Sequence, residues 1–389
     1  MDNELKLYNC TSEGSLSDLR RSIYENLLKS GFVISDGCRL SLPNDKSLIR
    51  KAHEASVNHI IENKTKFISR FEDRFLDRYI IDGKELDVDN IKPVLIAVSN
   101  THGSDLFRWI KLHWSIPISA GYGRRLRYLV YDKGNSAIIG IIGLADPVYG
   151  LEDREHLIGW DVETKKHKLK NIMDAFVLGA VPPYSLILGG KLVASMVGSP
   201  RIRSDFKSKY GGKMTRISQE TFDGKLAAIT TASALGKSSV YDRIKIPGAF
   251  EFIHVGWSKG SGEFQFYNGV YEDIFKLAHD ASLRYKNPKW GNGVRNRRTV
   301  IQKGLKMLDL SPDLLYHSIR RELFIVLLGS NSIRFLRGET KRISYFRLTE
   351  SGIADYAINR WMIPRSQRKR GFLDFKKEKY SLHVKPDCD

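Results

Sequence analysis

The chain has 389 residues, of which 42% are hydrophobic, 11% aromatic and 28% charged, a composition that supports a substantial core and excludes disorder over most of its length. Its three cysteines, Cys10, Cys38 and Cys388, are too far apart for a disulfide framework or a C-x-x-C zinc site, so a reducing compartment and no metal are expected. Lys and Arg outnumber Asp and Glu by 63 to 44, and the excess is uneven: residues 1–150 carry 21 basic against 19 acidic side chains, residues 151–389 carry 42 against 25.

That asymmetry points to a polyanion partner on the second part of the chain, or to a solubilising basic surface. The N-terminal MDNELKLYNC has no basic start followed by an apolar core. The apolar runs at 138–145 and 323–328 fall short of the roughly 18 uncharged residues a bilayer requires, so a soluble cytoplasmic protein without a membrane partner is expected.

Residues 15–32 predict an amphipathic helix with Leu16, Leu19, Ile23, Leu27 and Leu28 on one stripe and Gly31 as its stop. A second, long helix is predicted over 45–78, carrying Ile49, Ala52, Ile60, Phe67, Ile68, Phe71 and Phe75. Together they make a helical N-terminal region, 1–90.

An α/β core is expected over 91–268. KPVLIAVSN reads as a buried strand, and SDLFRWIKLHWS as a helix with Ser104 as N-cap. RLRYLVYD and AIIGIIGLADP form a hairpin across KGNS, and IMDAFVLGAVPPY is a strand stopped by Pro182 and Pro183. One helix is predicted from Gly189–Gly190 to Gly211–Gly212. RISQETFDG and LAAITTASA read as strands, SVYDRIKI as a short helix or turn, and GAFEFIHVGW and GEFQFYNG as strands.

From Val270 the pattern turns helical, through VYEDIFKLAHDASLRY, RRTVIQKGLKMLDL, PDLLYHSIRRELFIVLL and TESGIADYAINRWM, giving a basic helical region, 269–365, before a basic arm, 366–389, extending off the body. The predicted class is α+β, with a central mixed sheet, a helical lead-in and a helix-rich basic C-terminal part.

Several catalytic fragments fail on context. GKSS at 236–239 lacks the first glycine of a phosphate loop, because position 231 is Thr231. GWSKG at 256–260 matches a nucleophile elbow by letter, yet Ser258 is followed by a turn and strand rather than a helix. His53 and His59 are not at zinc-protease spacing.

The stretch LADPVYGLEDREHLIGWDVE, 144–163, concentrates carboxylates around an apolar IGW. Asp146 and Asp161 there either serve as acid or base, or cap turns and pair with Arg154. Gly189 and Gly190 at a helix start, followed by Lys191, offer N–H groups to an anion or simply close helix packing.

The nucleic-acid signal is denser. Residues 281–308 hold Arg284, Lys286, Lys289, Arg295, Arg297, Arg298, Lys303 and Lys306 without one acidic residue, and Trp290 sits among glycines in that stretch. Arg and Lys suit phosphate oxygens, and aromatics stack on exposed bases. A second basic set is Arg360, Arg365, Arg368, Lys369 and Arg370. A solvated basic helix face is the alternative.

The runs GIIGLADPVYGLEDREHLIGWD, VPPYSLILGGKLVASMVGSPRIRSDFKSKYG, LGKSSVYDRIKI, HVGWSKGSGEFQFYNGVYEDI and NPKWGNGVRNRRTVIQKGL resemble successive blocks of the DruA family of bacterial Druantia antiphage defence systems. With RRELFIVLLGSNSIRFLRGE and NRWMIPRSQ, the resemblance covers residues 90–365. It implies a role in defence against phage beside a helicase-like partner and other components of the system.

The order of strands and helices over 92–257 is also similar to the GNAT-type acyltransferase fold, which implies an acyl-CoA pyrophosphate at Gly189, Gly190 and Lys191. The usual Q/R-x-x-G-x-G/A loop is absent. Two readings therefore stand: a DNA-binding defence component using the basic C-terminal half and no cofactor, or an acyltransferase-like enzyme using acetyl-CoA with Asp146 or Asp161 as base.

Overall fold

In the computed structural model, residues 14–35, 39–119, 121–215, 219–267, 269–280 and 294–382 are described. The chain divides into a helical unit, from residues 1–59 and 259–319, and a sheet unit, from 60–258 and 320–389.

The helical unit begins with α1 (Gly14–Lys29), whose Ile23 and Leu27 are buried as its stripe predicts. A short antiparallel pair, β1 (Val33–Ser35) and β2 (Arg39–Ser41), leads to α2 (Lys46–Glu62). Asp45 accepts the backbone N–H groups of Ser47 and Leu48 at 2.8 and 3.1 Å and so opens α2. The long helix expected over 45–78 is two helices: α3 (Thr65–Tyr79) starts afresh, with Thr65 Oγ1 donating to Glu62 O at 2.7 Å across the break.

The sheet unit is built on β3 (Pro93–Ala97), α4 (Thr101–Leu112), β4 (Arg125–Asp132), β5 (Ala137–Ala145), α5 (Glu152–Ile158), α6 (Val162–Lys168) and β6 (Ile172–Ala180). There follow α7 (Gly189–Ser195), α8 (Pro200–Tyr210), β7 (Ala228–Ala232) and β8 (Phe252–Trp257). The chain then returns to the helical unit for α9 (Val270–Asp280) and α10 (Val294–Met307). It re-enters the sheet as β9 (Glu322–Leu327), followed by α11 (Ser332–Leu336), α12 (Glu350–Ala357), a π-turn at 358–362 and α13 (Ile363–Arg368).

Seven of the nine described strands form a mixed sheet in the order β3-β4-β5-β6-β7-β9-β8, antiparallel except for β6 and β7. The α+β class with a central mixed sheet is therefore observed. All nine residues of β5 are buried. Its Ile139 and Ile142 join the core under α7 and α8, with Leu192, Val193, Ile202 and Phe206. Its Ile138 and Ile141 join a second core with Phe75, Leu106, Trp109 and Ile110 of α3 and α4. Helices on both faces explain why AIIGIIGLA is apolar throughout instead of alternating, each buried Ile contributing about 1.5–3 kcal/mol.

Several expected elements differ. RRELFIVLL was expected to be helical, but its six central residues form β9, an apolar run buried between two strands and too short for a stable helix. Asn100, not Ser104, caps α4, accepting the Gly103 N–H at 2.8 Å. The helix from Gly189 is split, because Ser199 accepts the Arg201 N–H at 3.1 Å and Pro200 starts α8 anew. Around RISQETFDG, of which 216–218 lie outside the described residues, the described residues show a single bridge between Met214 and Thr221, and GEFQFYNG holds a 3-10 turn at Phe264–Phe266.

The C-terminal segment is not an arm leaving the body as far as residue 382. Phe372, Phe375 and Tyr380 are buried, and Lys376 and Lys377 pair with Asp82 and Asp77. Glu72, fully buried on α3, accepts the Trp109 indole N–H at 3.1 Å, the Ser381 hydroxyl at 2.7 Å and the Leu382 N–H at 2.8 Å. His113 stacks on Tyr380 at 3.8 Å, and burial pushes its pKa down to about 3. Glu72→Ala is expected to cost about 3 kcal/mol, because it strands one buried and two part-buried donors, and to raise hydrogen exchange at 377–382. Denaturant unfolding with exchange mass spectrometry checks this; unchanged protection of that segment would contradict it.

Candidate nucleic-acid interface

In the helical unit, α10 buries Val300, Ile301 and Leu305. It lies close to α9, since a Cβ on Gly304 would stand 2.3 Å from Ile274 Cγ2. The opposite face, Thr299, Gln302, Lys303 and Lys306, is exposed at helical spacing. No residue of α10 is acidic.

Arg297 and Arg298 differ from that face. Arg298 is partly buried, with Nη1 3.6 Å from Oε1 of Glu263, a carboxylate only 9% exposed. Burial pushes the Glu263 pKa up, and the Arg298 charge opposes this. Arg298 is thus held in the fold. Arg297 is exposed, its guanidinium 5.3 Å from the Tyr267 ring and 5.8 Å from that of Tyr271. Arg284, Lys286, Lys289, Trp290 and the side chain of Arg295 lie outside the described residues.

The second basic set belongs to the sheet unit. Arg365 is half-buried, whereas Arg368, Lys369 and Arg370 are exposed at the end of α13, with Arg368 Nε donating to Pro364 O at 3.0 Å. No helix among the described residues is long and apolar enough to cross a membrane, and they contain no His, Cys, Asp and Glu cluster suited to a metal.

The residues singled out for acyl transfer have other partners. Asp146 Oδ1 lies 2.6 Å from Arg124 Nε, and Oδ2 accepts the Arg124 backbone N–H at 3.0 Å. Asp161 caps α6, accepting the Thr164 N–H at 2.7 Å, and that bond holds its carboxyl below the usual range. Both act as anchors, although Asp146 pairs with Arg124 and not Arg154. Arg154 is fully buried and donates to Val148 O and Tyr149 O at 2.9 and 3.0 Å. Its carboxylate neighbour Glu155 also binds Lys165 at 2.6 Å.

At α7, the Lys191 N–H donates to Leu188 O at 2.9 Å, so it does not stand open to an anion. Gly189 is needed for close packing, since a Cβ there would meet Tyr184 O at 2.7 Å, whereas nothing lies within 4 Å of one on Gly190. Lys191 itself is buried and donates through Nζ to Val240 O at 3.0 Å. In GKSS, Ser238 Oγ accepts the Val240 and Tyr241 N–H groups while its own N–H goes to Glu322, a turn cap and not a phosphate cradle.

A family model described as DruA, Druantia protein DruA, matches residues 43–338. The Druantia protein DruA of Escherichia coli (strain UMEA 4076-1) is 38% identical over 356 residues, 90% of this chain and 87% of the relative. The chain belongs to the DruA family. No solved structure matches it. The match to the DruA family model takes in α10 and Lys191 but ends before Arg360, Arg365, Arg368, Lys369 and Arg370.

One carboxylate of this DruA-family chain was not evident from sequence. Asp174 sits in β6, an otherwise apolar strand, and accepts the Thr230 hydroxyl at 2.7 Å. Burial pushes its pKa up to about 6, against that bond and the Arg154 charge. A folded-state pKa above the ordinary 3.8 means that its stabilising contribution is full below about pH 4 and lost as pH rises through 6. Asp174→Asn is therefore expected to raise the melting temperature at about pH 8 more than at about pH 4. Equal shifts at both pH values would contradict the burial effect.

Proposed function

We propose that the chain acts in the cytoplasm as the DruA component of an antiphage defence system, and that it contacts DNA phosphates through the exposed basic face of α10. It works there beside a helicase-like partner and the other components of that system. Lys303 and Lys306, exposed one turn apart on a helix without a carboxylate, carry the reading. The net charge of +19 supports it, because a cation that neutralises a phosphate releases a counterion and draws DNA in from a distance. Arg297 lies off that face beside Tyr267 and Tyr271, and Arg298 pairs with Glu263.

The sheet unit is read as an acyltransferase-type scaffold kept without its chemistry. The scaffold reading is drawn from β3, α4, the β4–β5 hairpin, β6 and α7 in that order, with α5 and α6 standing between β5 and β6. The chemistry is disfavoured by the internal partners of Asp146, Asp161 and Lys191.

Duplex affinity measured by fluorescence anisotropy at several salt concentrations tests the DNA contact. The variant Lys303→Ala/Lys306→Ala is expected to weaken binding and to make the slope of log K against log salt shallower by about 0.9 for each phosphate that is no longer neutralised. Arg298→Ala instead lowers stability, since it leaves Glu263 buried and unpaired by its cation. An unchanged slope in the folded double variant would refute the reading.

A further inference from the structure

We propose that a cleft of about 520 Å³ in the sheet unit binds a phosphate joined to a planar base. Its cations are Lys191 on α7, Arg243 and Lys245 on the segment leading into β8, and Arg360 and Arg368 beside α12 and α13. Three separate stretches of chain thus bring five basic side chains to one depression, and no carboxylate lines it. Two acids act on these cations: Glu251 pairs with Lys245 at 3.1 Å, and Asp242, next to Arg243 in the chain, acts on Lys191.

Lys191 is the most telling member. It is 5% exposed, so its ammonium has lost most of its water, and Val240 O takes one of its three donors. Burial lowers its pKa, and Arg243 adds to that effect. Lys191 and Arg243 repel one another, and a bound anion relieves that repulsion while supplying acceptors to the guanidinium forks.

The aromatic wall decides what the anion is attached to. Tyr356 and Trp361 line the same cleft with their rings edge to face, 5.7 Å apart at 88°. Trp361 and Arg360 both sit in the π-turn at 358–362, a local widening of the helix that recurs at binding sites. The Trp361 ring lies 5.4 Å from Lys191 Nζ, so a base on that ring keeps its phosphate within reach of the cations. The volume suits a single nucleotide. The ligand is a free nucleotide, a coenzyme with a nucleotide end, or the terminal nucleotide of a strand.

Calorimetry on the full chain distinguishes these with ATP, inorganic pyrophosphate, acetyl-CoA, and oligothymidylate with and without a 5′-phosphate. Binding of one of the base-bearing phosphates, weakened about tenfold or more by Arg243→Ala/Arg360→Ala without a change in melting temperature, is expected. Lys191→Met should act alike; if it fails to fold, the exposed arginine pair decides. Preference for ATP or acetyl-CoA identifies a free ligand, preference for the 5′-phosphorylated strand identifies a strand end, and either upholds the site. No binding to folded protein, binding that survives the arginine variant, or pyrophosphate held as tightly as every base-bearing ligand would overturn it. Duplex binding by the α10 variant is a separate measurement, so either proposal can fail while the other stands.

Discussion

The return of the chain into its own sheet is the constraint on which the rest of the molecule depends. β9 enters between β7 and β8, antiparallel to both, after the excursion through residues 259–319. The excursion therefore leaves and re-enters the sheet unit at neighbouring points of one antiparallel pair. Ser258 N–H donates to Arg321 O at 2.8 Å, and the Arg321 N–H returns to Ser258 Oγ at 2.9 Å, pinning the two ends together. Adjacent ends let a second unit be inserted without straining the first, and here 259–319 completes a helical unit begun by residues 14–59. The serine that resembles a nucleophile by letter is the pin.

Several acids are committed to partners within the fold. Glu155 is bound to Arg154 and Lys165, Asp146 to Arg124, and Glu263 to Arg298. Glu72 gathers neutral donors from α4 and the C-terminal segment. Asp132, fully buried, accepts the Tyr184 hydroxyl at 2.8 Å. These carboxylates thus organise the fold, Glu72, Asp132 and Glu263 from buried positions and Asp146 and Glu155 from partly exposed ones. The cations of α10 and of the cleft lie on different units.

Sequence patterns are most readable where the signal is local to one run of residues. The α1 stripe, the β4 and β5 hairpin and the β6 run are local signals, and the structure places each within a few residues. β9 was misread because RRELFIVLL is equally apolar in either periodicity, and only its tertiary neighbours make it a strand. The cleft was invisible for a related reason. Lys191 and Arg368 drew attention separately, one as a glycine-flanked lysine and one as part of a basic run, while Lys245 and Tyr356 carry no local signal. Arg298 shows the converse, a cation in a basic run whose partner, Glu263, lies 35 positions earlier.

An acyltransfer step needs a base able to take a proton from an attacking amine, and it needs an anion held at a helix start. Asp161 is a weaker base than an ordinary carboxylate because its lone pairs already hold the Thr164 N–H. Asp146 is bridged twice to Arg124. Asp174 is the carboxylate whose proton affinity is raised into a useful range, yet it is tied to Thr230 within the sheet. At α7 the Lys191 amide closes on Leu188, and the anion-binding potential passes from the backbone to side chains: a buried ammonium and four more cations around two aromatic rings. Backbone amides and side-chain cations differ in what they can hold. A glycine-rich amide cradle selects a pyrophosphate by shape, whereas an open ring of arginines and lysines accepts phosphates in several settings and leaves discrimination to the base that Tyr356 and Trp361 can stack.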